Sequence, residues 1–271
     1  MSRARPCSPH RALPAFAVAL ALLGLAPVAE AQSPPRFQAG AGQVQPGRPL
    51  VVELFTSQGC SSCPPADAVL AELARTRPDL LPLSFHVTYW NGLGWADPFS
   101  LPEATERQRR YVGLSVSPEV YTPAMVVDGR LDAVGSDRAA VASALERAAA
   151  AETDDAPVRL SRAEGGVEVE VGAGAGRGTI WLVGYDRERR TGVTRGENGG
   201  RTLTEADVVR EIRPAGAWTG PALRLRVAAP AGEEVAAIVQ AEDGRVLGAG
   251  RLARSAPTPP AVGGRATGRA S

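Results

Sequence analysis

The sequence predicts an α/β domain followed by a smaller all-β, sandwich-like domain. Two observations carry this reading. Residues 49–151 alternate apolar strand patterns with helical ones, whereas beyond 156 the apolar period becomes two and stays there. Between them, the polar run "ETDDAP" (152–157) marks a boundary.

The first domain orders itself as strand, helix, strand, helix, hairpin, helix. "PLVVELFT" (49–56) is a short apolar run with β-branched residues, the pattern of a buried strand. Ala66, Val69, Leu70 and Leu73 then recur at helical spacing, so a helix runs to about Arg75, with Pro64 and Pro65 in its first turn where a missing N–H costs nothing. "LLPLSFHVT" (80–88) is a second strand, and "YWNGLGWADPFS" (89–100) is an aromatic loop punctuated by Gly and Pro. "PEATERQRRYV" (102–112) is a helix opened by Pro102. "VYTPAMVVDGRLDAVG" (120–135) reads as two strands joined at Asp128-Gly129, a hairpin turn signal. "SDRAAVASALERAAAA" (136–151) is an alanine-rich helix with a Ser/Asp start.

In the second domain (156–253), short alternating strands are expected at 167–171, 178–186, 223–227 and 234–241. The polar, Gly-rich segment 195–212, carrying Arg195, Glu197, Asn198 and Arg201, reads either as a structured turn entering the strand "ADVVREI" or as a loop that docks on the first domain near the cysteines; docking is favoured, since a plain connector needs fewer polar side chains. It lacks the Lys and the strand–helix context of a phosphate loop. The Pro/Gly/Ala-rich end (254–271) reads as a disordered tail.

The N-terminus points to export. Arg3, Arg5 and Arg11 precede an apolar stretch from Leu13 to Ala26, too short for a comfortable membrane span, and Ala29-Glu30-Ala31 reads as a cleavage site. Residues 1–31 are thus expected to be a signal peptide, with Gln32 the first mature residue, 32–48 a flexible lead-in, and the protein periplasmic or secreted with no stable membrane insertion after processing. Formal net charge is +1, with both signs mixed along the chain, so nothing favours nucleic acid as a partner. Oligomeric state is not legible.

Processing removes Cys7, leaving Cys60 and Cys63 in "GCSSCPPAD" (59–67). An oxidising compartment lets such a pair exist as a disulfide. A strand delivers the pair and a helix leaves from it, so Cys60 is expected at a helix N-terminus, where partial positive charge favours a thiolate. Cys60 is then the accessible nucleophile and Cys63 the resolving, shielded thiol. The loop bearing Tyr89, Trp90, Trp95 and Phe99 follows a strand expected to run parallel to the first, so it shares the cysteines' end of the sheet and is placed to touch a substrate, with a self-packed loop as the alternative. Thr122, beside Pro123, joins Tyr89, Trp90 and Trp95 as a candidate substrate-binding residue. Asp97-Pro98 reads as turn chemistry, and His86 and Met125 as packed core residues.

"VYTPAMVVDG" resembles the segment of thioredoxin-like proteins that places a cis-proline opposite a dithiol, which implies that role for Pro123. The same resemblance implies a buried carboxylate behind the dithiol as proton acceptor for the resolving cysteine. Glu53 is the nearest candidate, with solvent exposure as the alternative. "VVELFTSQGCSSCPPAD", "HVTYWNGLGWADPFS", "YTPAMVVDGR" and "RGENGGRTLTEADVVR", in that order over about residues 49–251, resemble the secreted bacterial family catalogued as domain of unknown function 1223. That implies a thioredoxin-like fold and export, but no established activity.

Three functions compete on these residues. The favoured one is an exported thiol–disulfide oxidoreductase acting on exported proteins or small-molecule thiols, with Cys60, Cys63, Pro123 and Glu53 as catalytic candidates and no cofactor or resident metal. The second is a thioredoxin-like scaffold with an inert Cys60–Cys63 bond. The third is a Cu(I) carrier using Cys60, Cys63, His86 and Met125. With one histidine left after processing, a Ser–His or Cys–His site is nearly excluded.

Overall fold

The computed structural model describes residues 48–151 and 156–253. The expected signal peptide, nearly all of the lead-in and the expected tail lie outside the described residues. The elements are β1 (Leu50–Thr56), α1 (Pro64–Thr76), β2 (Leu80–His86), α2 (Pro102–Gly113), β3 (Ala124–Val127), β4 (Leu131–Val134) and α3 (Arg138–Ala149), then β5 (Val158–Ala163), β6 (Gly166–Val171), β7 (Gly178–Gly192), β8 (Thr202–Trp218), β9 (Leu223–Val227), β10 (Glu234–Gln240) and β11 (Val246–Arg251). Among the described residues no helix is long and apolar enough to cross a membrane.

Where the sequence suggests a self-standing sandwich after residue 156, the structure builds a shared one. Eight strands form one mixed sheet in the order β11-β10-β7-β8-β2-β1-β3-β4. The seam is a short parallel pairing in which Ser84 of β2 faces Val208 of β8. A smaller antiparallel sheet, β5-β6-β9, packs through Val167, Val169 and Val171 onto Ile180, Leu182 and Val239 of the large one. Sandwich-like packing therefore exists, but one of its two layers is the extension of the first half's sheet. The described residues fall within a single compact unit.

Alternation along β1 assigns the two faces. Val52 and Leu54 meet α1 and α3 through Ala66, Leu70 and Leu145, while Val51 and Phe55 join a core with α2 through Tyr111. That second core also takes Val183, Val209 and Ile238 from the later strands. Burial on the α2 side is thus continuous through both halves of the chain, which holds them together.

Local chemistry matches several sequence signals. Asp137 caps α3, its carboxylate accepting from the backbone N–H of Ala139 and Ala140 at 3.0 Å each. Asp128 (φ 54°) and Gly129 (φ 68°) make the β3–β4 turn with both residues left-handed. A Cβ on Gly129 would lie 1.9 Å from the Gly244 carbonyl oxygen, so no larger residue fits there.

Candidate functional site

After β1 the chain turns through Ser57-Gln58-Gly59 into Cys60, whose N–H donates to the Ser57 carbonyl at 3.1 Å. Cys63 is the N-cap of α1, and Pro64 and Pro65 open the helix. The helix therefore begins at the second cysteine, and Cys60 lies one turn before it rather than at its end. The two are joined as a disulfide. The expected contrast between an open Cys60 and a shielded Cys63 is absent: neither residue has exposed surface, while Ser61 and Ser62 between them are exposed. The Cys60 Sγ and Ser62 Oγ are 3.3 Å apart.

The Thr122–Pro123 bond is cis. It immediately precedes β3, and Ala124 pairs with Phe55 near the end of β1 from which the cysteines depart. Pro123 Cβ and Ala66 Cβ lie 3.6 and 3.0 Å from the point where a Cβ on Gly135 would stand, so Pro123 sits beside the first turn of α1.

The aromatic loop walls the same end of the sheet. Trp90 Cβ is 3.2 Å from a Cβ built on Gly59, and its Nε1 donates to Thr122 Oγ1 at 2.8 Å. Trp95 Nε1 donates to Gln58 Oε1 at 3.0 Å. Tyr89 turns to α2, its hydroxyl donating to Gln108 Oε1 at 3.1 Å, and burial pushes its pKa up to about 12. Of the four, Trp90 and Trp95 touch the cysteine turn directly, and Thr122 is tied to it through Trp90.

Glu53 is fully buried but faces the other way. As an odd-numbered residue of β1 it points with Val51 and Phe55 into the α2 side. There it pairs with the Arg107 guanidinium and accepts from the Tyr111 hydroxyl at 2.7 Å. The cysteine-bearing helix covers the even-numbered face, so the proton-acceptor role expected of Glu53 is not met by its position.

The carboxylate on the cysteines' side is Asp67. It follows Cys63 by four residues, one helical turn, so the two side chains share a face of α1, and its N–H donates to the Cys63 carbonyl at 3.1 Å. Thr56, on the even face of β1, donates to Asp67 Oδ1 at 2.8 Å. Burial, reinforced by the negative charge of Glu205, pushes the Asp67 carboxyl up to about 7.

Around it stands a buried ionisable cluster. His86 Nδ1 and Asp97 Oδ2 are 2.7 Å apart, and the same oxygen accepts from the Gln58 N–H at 2.8 Å. Gln58 Nε2 donates to Glu205 Oε2 at 2.8 Å. Burial opposes a charged imidazole, but Asp97, then Glu205 and Asp67, reverse this and raise His86 to about 9. Burial likewise opposes the Asp97 carboxylate, yet the His86 charge holds it below the usual range. Burial raises Glu205. The imidazolium thus pairs with Asp97, while burial favours the neutral acid at Asp67 and Glu205. His86 is buried as expected, but as an ion-pair partner. Asp97 does serve as a turn residue, accepting from the Phe99 N–H at 2.9 Å, and binds His86 as well. Met125 lies in the α1-side core.

The polar segment before β8 docks on the cysteines. Asn198 Nδ2 donates to the carbonyls of Gln58 (3.0 Å) and Cys60 (2.9 Å), and Glu197 Oε2 accepts from the Ser61 N–H at 2.9 Å. Sequence reasoning singled out this segment but not Asp67 or Glu205. The usable signals were a carboxylate one turn after Cys63 and the shared even-numbered face of Thr56 and His86.

No curated protein matches the chain. A crystal structure of a protein from Agrobacterium tumefaciens is similar at 32% identity and a TM-score of 0.66, over 77% of this chain and 95% of that one. HBP35 of Porphyromonas gingivalis aligns at 14% identity with a TM-score of 0.48, over 79% of this chain and 81% of that one, too slight a likeness to argue from. The family described as "Protein of unknown function (DUF1223)" matches residues 51–241, well over half of the sequence, and the chain belongs to it.

Proposed function

We propose that the protein is an exported, thioredoxin-like thiol–disulfide oxidoreductase whose redox centre is Cys60–Cys63. The observation that carries this reading is the meeting of four features at one end of the sheet: a Cys-x-x-Cys disulfide capping α1, Pro123 beside that helix, an aromatic wall, and a buried carboxyl with a pKa near neutral one turn away. A structural staple needs no such carboxyl, whereas a couple that exchanges protons with its electrons does.

The exchange balances as follows. A partner thiolate attacks the Cys60 sulfur, the Cys60–Cys63 bond breaks, and a mixed disulfide forms while the electron pair leaves on Cys63. Asp67, in its acid form, gives that sulfur its proton. A second thiol of the partner gives up its proton and attacks the partner's own sulfur in the mixed disulfide. The bond to Cys60 breaks, and Cys60 leaves with the electron pair and takes up that proton, so the partner is oxidised by two electrons to a disulfide and the pair is reduced to two thiols. In reverse, Asp67 takes the proton from Cys63 as it attacks a mixed disulfide at Cys60. Partners are thiols of exported proteins or small-molecule thiols.

The burial of both sulfurs favours a second reading, a scaffold with an inert disulfide. Trapping separates the two. In the exporting cell, Cys63→Ser is expected to accumulate disulfide-linked partners through Cys60, seen as heavier bands on a nonreducing gel and lost on reduction. Cys60→Ser should yield few or none. No adduct with Cys63→Ser would leave the scaffold.

A further inference from the structure

We infer that the loop between β7 and β8, residues 194–200, is a displaceable cover over the disulfide, and that a cysteine-bearing polypeptide in extended conformation displaces it. This rests on the redox reading above and names the partner class and the control of that site.

Disulfide exchange needs a thiolate to approach a sulfur, and neither cysteine is exposed. The loop sits on the turn that carries them. Within 194–200 only Asn198 is buried, so apolar burial adds little to the docking. What holds the loop is mainly polar: the two bonds from Asn198 to the Gln58 and Cys60 carbonyls, and the bond from the Ser61 N–H to Glu197, with Gly196 lying in close packing against Gly94 and Trp95 of the aromatic loop. Arg201 Nη1 fixes Asn198 from behind, donating to its Oδ1 at 2.6 Å. The base of the loop is closed independently, by Val193 N–H to the Arg201 carbonyl (2.9 Å) and Gly200 N–H to the Val193 carbonyl (2.8 Å). The tip can lift without unpairing β7 from β8.

The groups that the tip would release define what can replace it. They are main-chain groups: carbonyls two residues apart, on Gln58 and Cys60, and the N–H of Ser61. Leaving buried backbone groups unpaired is costly. An extended polypeptide presents N–H and C=O groups in alternation and can take over such bonds, as peptides do when they add to a strand edge. A small thiol cannot. The closed loop thus shields the disulfide from small thiols and yields to a peptide that supplies the same bonds.

The test uses the full mature protein in its oxidised form and follows reduction of Cys60–Cys63 by dithiothreitol and by a synthetic unstructured peptide bearing a cysteine pair. Asn198→Asp keeps the shape but has no N–H to give the two carbonyls. It should accelerate reduction by dithiothreitol by about tenfold or more, the scale expected for losing such bonds. Glu197→Ala, a change at an exposed residue, should act in the same direction and serves if Asn198→Asp folds poorly. The peptide, which opens the wild-type loop itself, should gain less than about threefold, since its bonds replace those lost. Unchanged dithiothreitol rates in a folded variant would overturn the cover. Equal acceleration for both reductants would overturn the polypeptide as its opener. The rates are read on isolated protein, so a failure of cellular trapping would sink the redox reading without deciding this one.

Discussion

Arg107→Met should destabilise the fold by about 3–5 kcal/mol, measured by urea unfolding, because it strands a buried carboxylate. Arg107 is buried on α2 and pairs with Glu53 of β1, which has no exposed surface. The guanidinium also donates to Gln240 Oε1 at 3.2 Å and to the Tyr111 hydroxyl at 3.2 Å, and its centre lies 5.5–5.6 Å from the rings of Phe85, Tyr111 and Trp181. Gln240 and Trp181 come from β10 and β7, so one side chain ties α2 and β1 to the later strands. Once it is gone, Tyr111 alone remains to serve Glu53. Adding Glu53→Gln to Arg107→Met removes the orphaned charge and should recover part of the loss. A loss below about 1 kcal/mol would mean that water reaches Glu53 and that this cluster does not hold the halves together.

Asp67→Asn should slow exchange at Cys60–Cys63 by about a hundredfold near neutral pH, the lower end of what positioned acid–base groups supply. Asn keeps the size of the side chain and an oxygen for Thr56 to bond, so a loss of rate reports on the proton. The wild-type rate of the resolving step should rise as pH passes through about 7, where Asp67 becomes a base, and the variant should lack that rise. Stability moves in the opposite sense. A carboxyl raised from 3.8 to about 7 contributes stability that is fully present below the unfolded value and lost as pH climbs through the folded one. The variant should therefore be the more stable protein above pH 7 while being the slower one. A stability profile that is unchanged together with an unchanged rate would remove Asp67 from the mechanism.

The difference between Glu53 and Asp67 shows where sequence reading stops. The strand holding Glu53 was legible from its apolar run, but which of its faces meets the cysteine helix depends on where the helices pack. One residue of register decides it: Glu53 shares the α2 face with Val51 and Phe55, and Thr56 shares the Asp67 face with Val52 and Leu54. The hairpin at Asp128-Gly129 and the Asp137 cap were legible because the chemistry is local. The joining of both halves into one sheet was not, since it rests on a single long-range parallel pairing between β2 and β8 and on a core assembled across the chain. The change of period after residue 156 is real, and it records both an extension of the first sheet, through β7, β8, β10 and β11, and a second layer, β5-β6-β9, rather than a second body. For His86, burial was readable from its apolar strand, while its partnership with Asp97 needed the aromatic loop to fold back.

The redox account is tested most directly by the reduction potential of the Cys60–Cys63 couple, equilibrated against glutathione and dithiothreitol buffers and read by thiol alkylation. A working oxidoreductase should fall between about −270 mV, the region of reductants, and about −120 mV, that of strong oxidants. A couple below about −300 mV, the range of structural disulfides in secreted proteins, would contradict it and leave the pair as a staple.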